Sequence, residues 1–267
     1  MARWVQRAST QYLRSNSYAL PTLSMPFTVS LWFYPLYVYE TGHIWSIANS
    51  IWNHNYSVMF GSSEQNYRGR CRVLDDTTED SAITTNVADN NVWGHYCALF
   101  TSTTSRTIVL NGDWANRGVD TTSHTPGGSM QYHGLGAMIN SGTPYYISNG
   151  YLAEAAMWNT ALTESEINVL NMRQSPLLVR RSNLVSYVPL TNRSKDYDII
   201  YRANLDAFND PSWAKHPSGM KYPYPTPAMI APTRQRYWLV PAGGPDINVA
   251  IVESDTAQWK TGVKIVG

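Results

Sequence analysis

Charge is scarce in this chain of 267 residues: Asp, Glu, Lys and Arg make up 15% of it, and the formal net charge is +1. Without a basic field to draw in polyphosphate or anionic lipid, nucleic acid and membrane surfaces drop out as expected partners. Cysteine is nearly absent. Cys71 and Cys97 are too few for a disulfide framework, and they read as buried thiols on neighbouring strands. No apolar run approaches the roughly 18 residues of a membrane-spanning helix. Residues 1–14 scatter Arg3, Arg7 and Arg14 among polar residues and lack the apolar stretch of an export signal. The expectation is a soluble protein made in a cytoplasm.

What is abundant is Trp and Tyr, 10 and 18 residues against 5 Phe. Both carry a polar handle on an apolar body, which suits half-buried faces, interfaces and sugar-stacking platforms. Strand patterns dominate the first 150 residues. Phe27 to Tyr34 is β-branched and aromatic between Pro26 and Pro35, with Val29, Leu31 and Phe33 on one face and Thr28, Ser30 and Trp32 on the other. His43 to Ala48 alternates likewise, and Ser57–Phe60 and Arg70–Leu74 are shorter candidates. Trp93 to Phe100 and Arg106 to Leu110 read as a hairpin joined by the polar loop 101–105, and Asn111-Gly112 supplies a tight turn. From Trp114 to Gly134 the Gly, Ser and Thr content predicts a long loop, a common place for binding.

One helix is predicted, beginning at Thr163. Thr163 and Glu166 form the capping-box pattern, Ile167 and Leu170 share an inward face, and Ser175-Pro176 stops the run. Composition shifts near residue 190. Prolines at 217, 223, 225, 227 and 232 stiffen the chain, and strands are expected over 235–241 and 246–253. The reading is therefore a sandwich over 1–190 and an extension over 191–267 used for attachment or oligomerisation, with Tyr222, Tyr224, Tyr237 and Trp238 as its contact residues.

Five elements in order resemble the laminin-G-like, concanavalin-A-like jelly roll. They are Phe27–Trp32, the Trp93-x-His95 strand, Ile108 to Asn111-Gly112, the strand from Asn149 to Trp158, and Ala161 to Ile167 with its acidic pair. The resemblance implies an all-β antiparallel sandwich with one short helix. It also implies relatives that include lectins, adhesive domains and glucanases. His95 reads as a tethered structural group, since no metal-ligand spacing surrounds it.

Glucanases align carboxylates on one strand so that both face the same sugar, and no strand here does so. Glu164 and Glu166 point away from each other on a helix, where they complement its dipole. No catalytic residue is assigned, and the expectation is a non-enzyme. Oxygen donors in an acidic loop, Asp75, Asp76, Glu79 and Asp80, are the one candidate set for calcium, and no other cofactor is implied. Two groups carry an aromatic beside polar side chains, as glycan recognition requires: Trp52, His54, Asn55 and Tyr56, then Trp114, Asn116 and Arg117. Asn183 to Leu190 followed by His216-Pro217 resembles the tails of laminin-G-like proteins of tailed phages. That resemblance implies a virion structural role, a capsid decoration or head- or tail-associated protein binding itself and a capsid or tail protein. The alternative is a carbohydrate-binding lectin or adhesin that takes surface glycans.

Overall fold

The computed structural model describes residues 2–15, 24–36, 42–49, 54–61, 68–75, 78–124, 126, 130–140, 142–190 and 196–223. Met1–Lys221 form one compact unit and Tyr222–Gly267 a second. The expected strands at 235–241 and 246–253, with Tyr224, Tyr237 and Trp238, lie outside the described residues, while Tyr222 is exposed.

In chain order the strands begin with β1 (Ala2–Val5), β2 (Tyr12–Ser15), β3 (Phe27–Pro35), β4 (Gly42–Ala48), β5 (His54–Phe60) and β6 (Arg68–Asp75). Next come β7 (Thr78–Val87), β8 (Gly94–Ser102), β9 (Ser105–Leu110), β10 (Gly118–Asp120), β11 (Tyr132–Leu135) and β12 (Met138–Asn140). The rest are β13 (Thr143–Tyr145), β14 (Gly150–Trp158), β15 (Leu184–Val188), β16 (Asp196–Asp198), β17 (Ala203–Phe208) and β18 (Trp213–Ala214). The helix α1 (Glu164–Asn171) lies between β14 and β15.

Among the described residues the strands build two eight-stranded sheets and a separate two-stranded hairpin, β12–β13. The first runs β10-β9-β8-β3-β14-β1-β18, with β15 also on β14; the second runs β16-β17-β2-β11-β4-β5-β6-β7. Pairing is antiparallel throughout both, because each neighbour arrives by a hairpin or a crossover that reverses direction. The expected loop 101–105 shrinks to Thr103 and Thr104, since β8 continues to Ser102 and β9 restarts at Ser105. Residues 191–221, read from sequence as extension, supply β16 and β17 to the second sheet and β18 to the first.

The period-2 alternation places Val29, Leu31 and Phe33 of β3 and Val58 and Phe60 of β5 in one core between the sheets. The outer face of the first sheet is also apolar. Cys97, Leu99, Val109, Ala156 and Trp158 lie there beneath Ile167 and Leu170 of α1. Thr163 caps that helix through a complete capping box, as its sequence implies. Cys71 and Cys97 are free and buried, but they stand on β6 and β8 in different sheets and not on neighbouring strands. Burial pushes the Cys71 thiol up to about 12.

Candidate functional site

Beyond the reach of α1, the outer face of the first sheet carries a row of four aromatic rings. Tyr34 pairs with Tyr151 across β3 and β14, and Tyr151 pairs with Trp4 across β14 and β1. Trp93, just before β8, completes the row. Ring centroids stand 5.6 Å apart for Tyr34–Trp93, 5.1 Å for the stacked Tyr34–Tyr151 pair and 6.3 Å for Trp4–Tyr151. All four are half-buried. The close stack depends on Gly150: a Cβ there would fall 2.3 Å from the Tyr34 carbonyl oxygen and 2.7 Å from the Phe33 ring.

The 214–218 segment stands over this floor. Ala214, Lys215, His216 and Ser218 join Tyr34, Trp93 and Tyr151 around an open pocket of about 370 Å³. Three contacts hold that wall. β18 pairs with β1, so Ala214 lies opposite Ala2. The Arg173 guanidinium donates to the Ser218 carbonyl at 2.6 Å and lies 6.0 Å over the buried Trp32 ring. His216 Nε2 lies 3.0 Å from Glu154 Oε1, while Tyr187 donates its hydroxyl to Glu154 Oε2 at 2.6 Å. Glu154 reaches the outer face because the register shifts between Ala153 and Ala156, and it takes a left-handed φ of 56° there. Its carboxyl group is buried at 1% exposure, with His216 beside one oxygen and the Tyr187 hydroxyl on the other.

Beneath the floor, His95 is buried and lies 2.8 Å from Ser30 Oγ, with Trp32 beside it. Burial lowers its pKa to about 3, so it is a neutral strut. This agrees with the structural role expected from sequence. A floor of fixed rings with a polar rim can stack the apolar face of a sugar ring and hydrogen-bond its hydroxyls.

The residues singled out from sequence fall elsewhere. Trp52 and Asp76 lie outside the described residues. His54, Asn55 and Tyr56 do not converge, because consecutive residues of β5 point to opposite faces. Tyr56 points into the core against Phe27 and Phe100, and burial pushes its phenol up to about 12. Asn55 is fully buried beside Arg72, and His54 Nδ1 lies 3.0 Å from Asp75. At the second group, Arg117 covers the Trp114 ring at 5.0 Å, and Asn116 donates to Asp113 at 2.8 Å.

The acidic loop is also corrected: Asp75, Glu79 and Asp80 belong to the paired strands β6 and β7. Each faces a basic side chain, Asp75 on His54, Glu79 on Arg70 and Arg72, and Asp80 on His124. Among the described residues, no group of three or more His, Cys, Asp or Glu is arranged to hold a metal ion. The four aromatic residues of the floor went unassigned in the sequence. Tyr34 and Trp32 alternate on the outer face of a recognisable strand, which is a usable signal. The 214–218 wall leaves none.

The family model described as the concanavalin A-like lectin/glucanases superfamily matches residues 7–168. No curated protein sequence matches the chain. Among solved structures, a provisionally assigned carbohydrate binding protein from Bacteroides ovatus is similar at a TM-score of 0.53 and 14% identity. The match covers 78% of this chain and 57% of that one, so this chain spans little more than half of its structural relative. The CBM40 of the Ruminococcus gnavus IT-sialidase, bound to α2,3 sialyllactose, gives a TM-score of 0.45 at 9% identity over 55% of this chain and 82% of that one. A heptameric SAP-like pentraxin from Limulus polyphemus gives 0.42 at 16% identity, over 64% and 74%.

Proposed function

We propose that this chain, which belongs to the concanavalin A-like lectin/glucanases superfamily, is a glycan-binding module. The observation that carries the reading is the group Trp93, Tyr34 and Tyr151, three half-buried rings that floor a pocket rimmed by Lys215, His216 and Ser218, with Trp4 edge-on to Tyr151 beside it. Rings fixed on strands lose little entropy on binding, and the wall above them is already anchored. The Bacteroides ovatus relative, whose description concerns carbohydrate binding, points the same way at the level of fold. The virion role read from sequence has no support in these matches, and the lectin alternative takes its place.

The module acts by binding and not by hydrolysis in this reading. Support comes from the carboxylates nearest the pocket and the helix. Glu154 is buried between His216 and Tyr187, and Glu166 is engaged by Thr163 and Arg180. A glycan array identifies ligands, and calorimetry then compares the intact chain with Trp93→Ala and Tyr151→Ala. Each truncation should weaken binding by at least about tenfold while circular dichroism stays unchanged. Binding that survives both substitutions would remove the platform as the site.

A further inference from the structure

The outer face of the second sheet poses a separate problem, because it is buried and polar. Arg72 of β6 is 5% exposed. Its Nη1 donates to Glu79 at 2.9 Å, a carboxylate that it shares with Arg70. Its Nη2 reaches Asn55 Oδ1 only at 3.4 Å and otherwise meets the weak acceptor Met138 Sδ at 2.9 Å. Its Nε–H finds no acceptor among the described residues, nor do the groups beside it. Beside it, Asn55 Nδ2 and Ser57 Oγ are fully buried and equally unpartnered, and Ser57 lies directly opposite Arg72 in the β5–β6 register.

Each unsatisfied buried donor costs about 1–3 kcal/mol, so three in one place imply an acceptor that completes them. The charge of Arg72 specifies an anion, and its planar fork specifies two oxygens in one plane. Near enough to Arg72 for their charges to interact is Tyr146, 51% exposed and held at a left-handed φ of 46°, a backbone state that aromatic residues seldom adopt. Its ring stacks on the buried His43 at 5.6 Å. Burial and the charges of Arg72 and Arg70 hold the His43 pKa well below its usual range, so that ring adds no repulsion or attraction as a cation.

We propose that this face is a second site, taking the carboxylate of an acidic saccharide on Arg72, Asn55 and Ser57 with the sugar ring against Tyr146. The saccharide part rests on the glycan reading above. The carboxylate part stands on this sheet alone.

The test is a titration of the ¹⁵N-labelled full chain, following the Arg72 Nε–H and Asn55 Nδ2 resonances. The probes are sodium glucuronate, its neutral methyl ester, and sodium acetate. Glucuronate should move both resonances, acetate should move them about tenfold more weakly, and the ester should leave them in place. Asn55→Asp puts the chain's own carboxylate beside Arg72. It should abolish glucuronate binding while keeping or raising the thermal midpoint. Ser57→Ala, a smaller change, should weaken binding about threefold with the fold intact.

No response to either anion, an equal response to the ester, or wild-type binding by Asn55→Asp each overturns the proposal. Acetate binding as tightly as glucuronate overturns its saccharide part. Because Trp93→Ala lies on the other sheet, it should leave the titration unchanged. Loss of platform binding with this titration intact would therefore separate the two sites.

Discussion

The two sheets bury similar apolar faces against each other and then present opposite chemistry outward. The outer face of the first sheet is apolar under α1 and turns aromatic where the helix ends. The outer face of the second, across β4 to β6, carries Ser46, Asn55, Ser57 and Arg72, all buried. Its cover is the β12–β13 hairpin, which accepts from Ser46 through the Ala137 carbonyl and donates to Ser46 through Ile139 N–H. A helix over an apolar face gains stability from every side chain it covers. A hairpin over a polar face gains only where hydrogen bonds are completed, and at Asn55 and Ser57 they are not. Equal burial therefore means cohesion on one side and unmet hydrogen-bonding capacity on the other.

The sharpest way to break that contrast is to truncate one buried side chain on each face. Trp158 is fully buried beneath α1, and its Nε1 donates to the Val179 carbonyl at 2.9 Å. Trp158→Ala should cost about 3–5 kcal/mol in chemical denaturation. Ser57→Ala removes a hydroxyl that has no partner among the described residues, and should leave stability unchanged or raise it by up to about 1–3 kcal/mol. A large loss at Ser57 would mean that the polar face is as cohesive as the apolar one.

Acid should act on both faces and on the core between them. Burial lowers His95 on the first face to about 3 and His133 between the sheets to about 4, while His43 on the second face is also held well down. In the unfolded chain all three take up protons near pH 6.5. The unfolded state therefore gains protons first as pH falls, and stability declines from about pH 6.5 downward. The decline ends as each folded-state pKa is passed. His95 and His133 should each remove about 2 kcal/mol by pH 5, and His43 acts in the same direction, so denaturation curves at pH 7 and pH 5 should differ by several kcal/mol. His95→Gln keeps a polar group near Ser30 without the titration, and should reduce that difference by about 2 kcal/mol.

Capping α1 is a smaller matter. Thr163→Ala removes the side chain that accepts from Glu166 N–H, and should cost about 1 kcal/mol. That helix was legible in full, since Thr163, Glu166, Ile167 and Leu170 declare cap and inner face within eight residues. So was β3, because Val29, Leu31 and Phe33 can face only one way. The same rule was available at β5, where Val58 and Phe60 fix Tyr56 inward and Asn55 outward; reading aromatic and polar neighbours as one group overrode it. Arg68, Arg70 and Arg72 likewise alternate on β6, which was enough to foresee partners for the acidic residues of β7. The pocket was not legible. Its wall depends on β18 pairing with β1 and on Trp4 N–H donating to the Ser212 carbonyl, contacts between opposite ends of the compact unit that no local pattern encodes.

The smallest effect is expected at Trp114, where sequence and structure disagree about use. Trp114 is partly buried against the apolar cluster under α1, and the Arg117 guanidinium covers its ring while donating to the Trp114 carbonyl at 2.8 Å. Asn116 is tied down as well, to Asp113 and to Thr85. With a cation over its ring and the apolar cluster beside it, Trp114 is poorly placed to stack a sugar, whereas no guanidinium lies over Tyr34 or Trp93 among the described contacts. Arg117→Ala should therefore cost about 0.5–1 kcal/mol of stability, the scale of an exposed cation–π contact, and leave glycan affinity at its wild-type value. Trp93→Ala should do the reverse. A gain in glycan affinity on uncovering Trp114 would make that ring a latent platform and shift the comparison from two faces to two ends of one face.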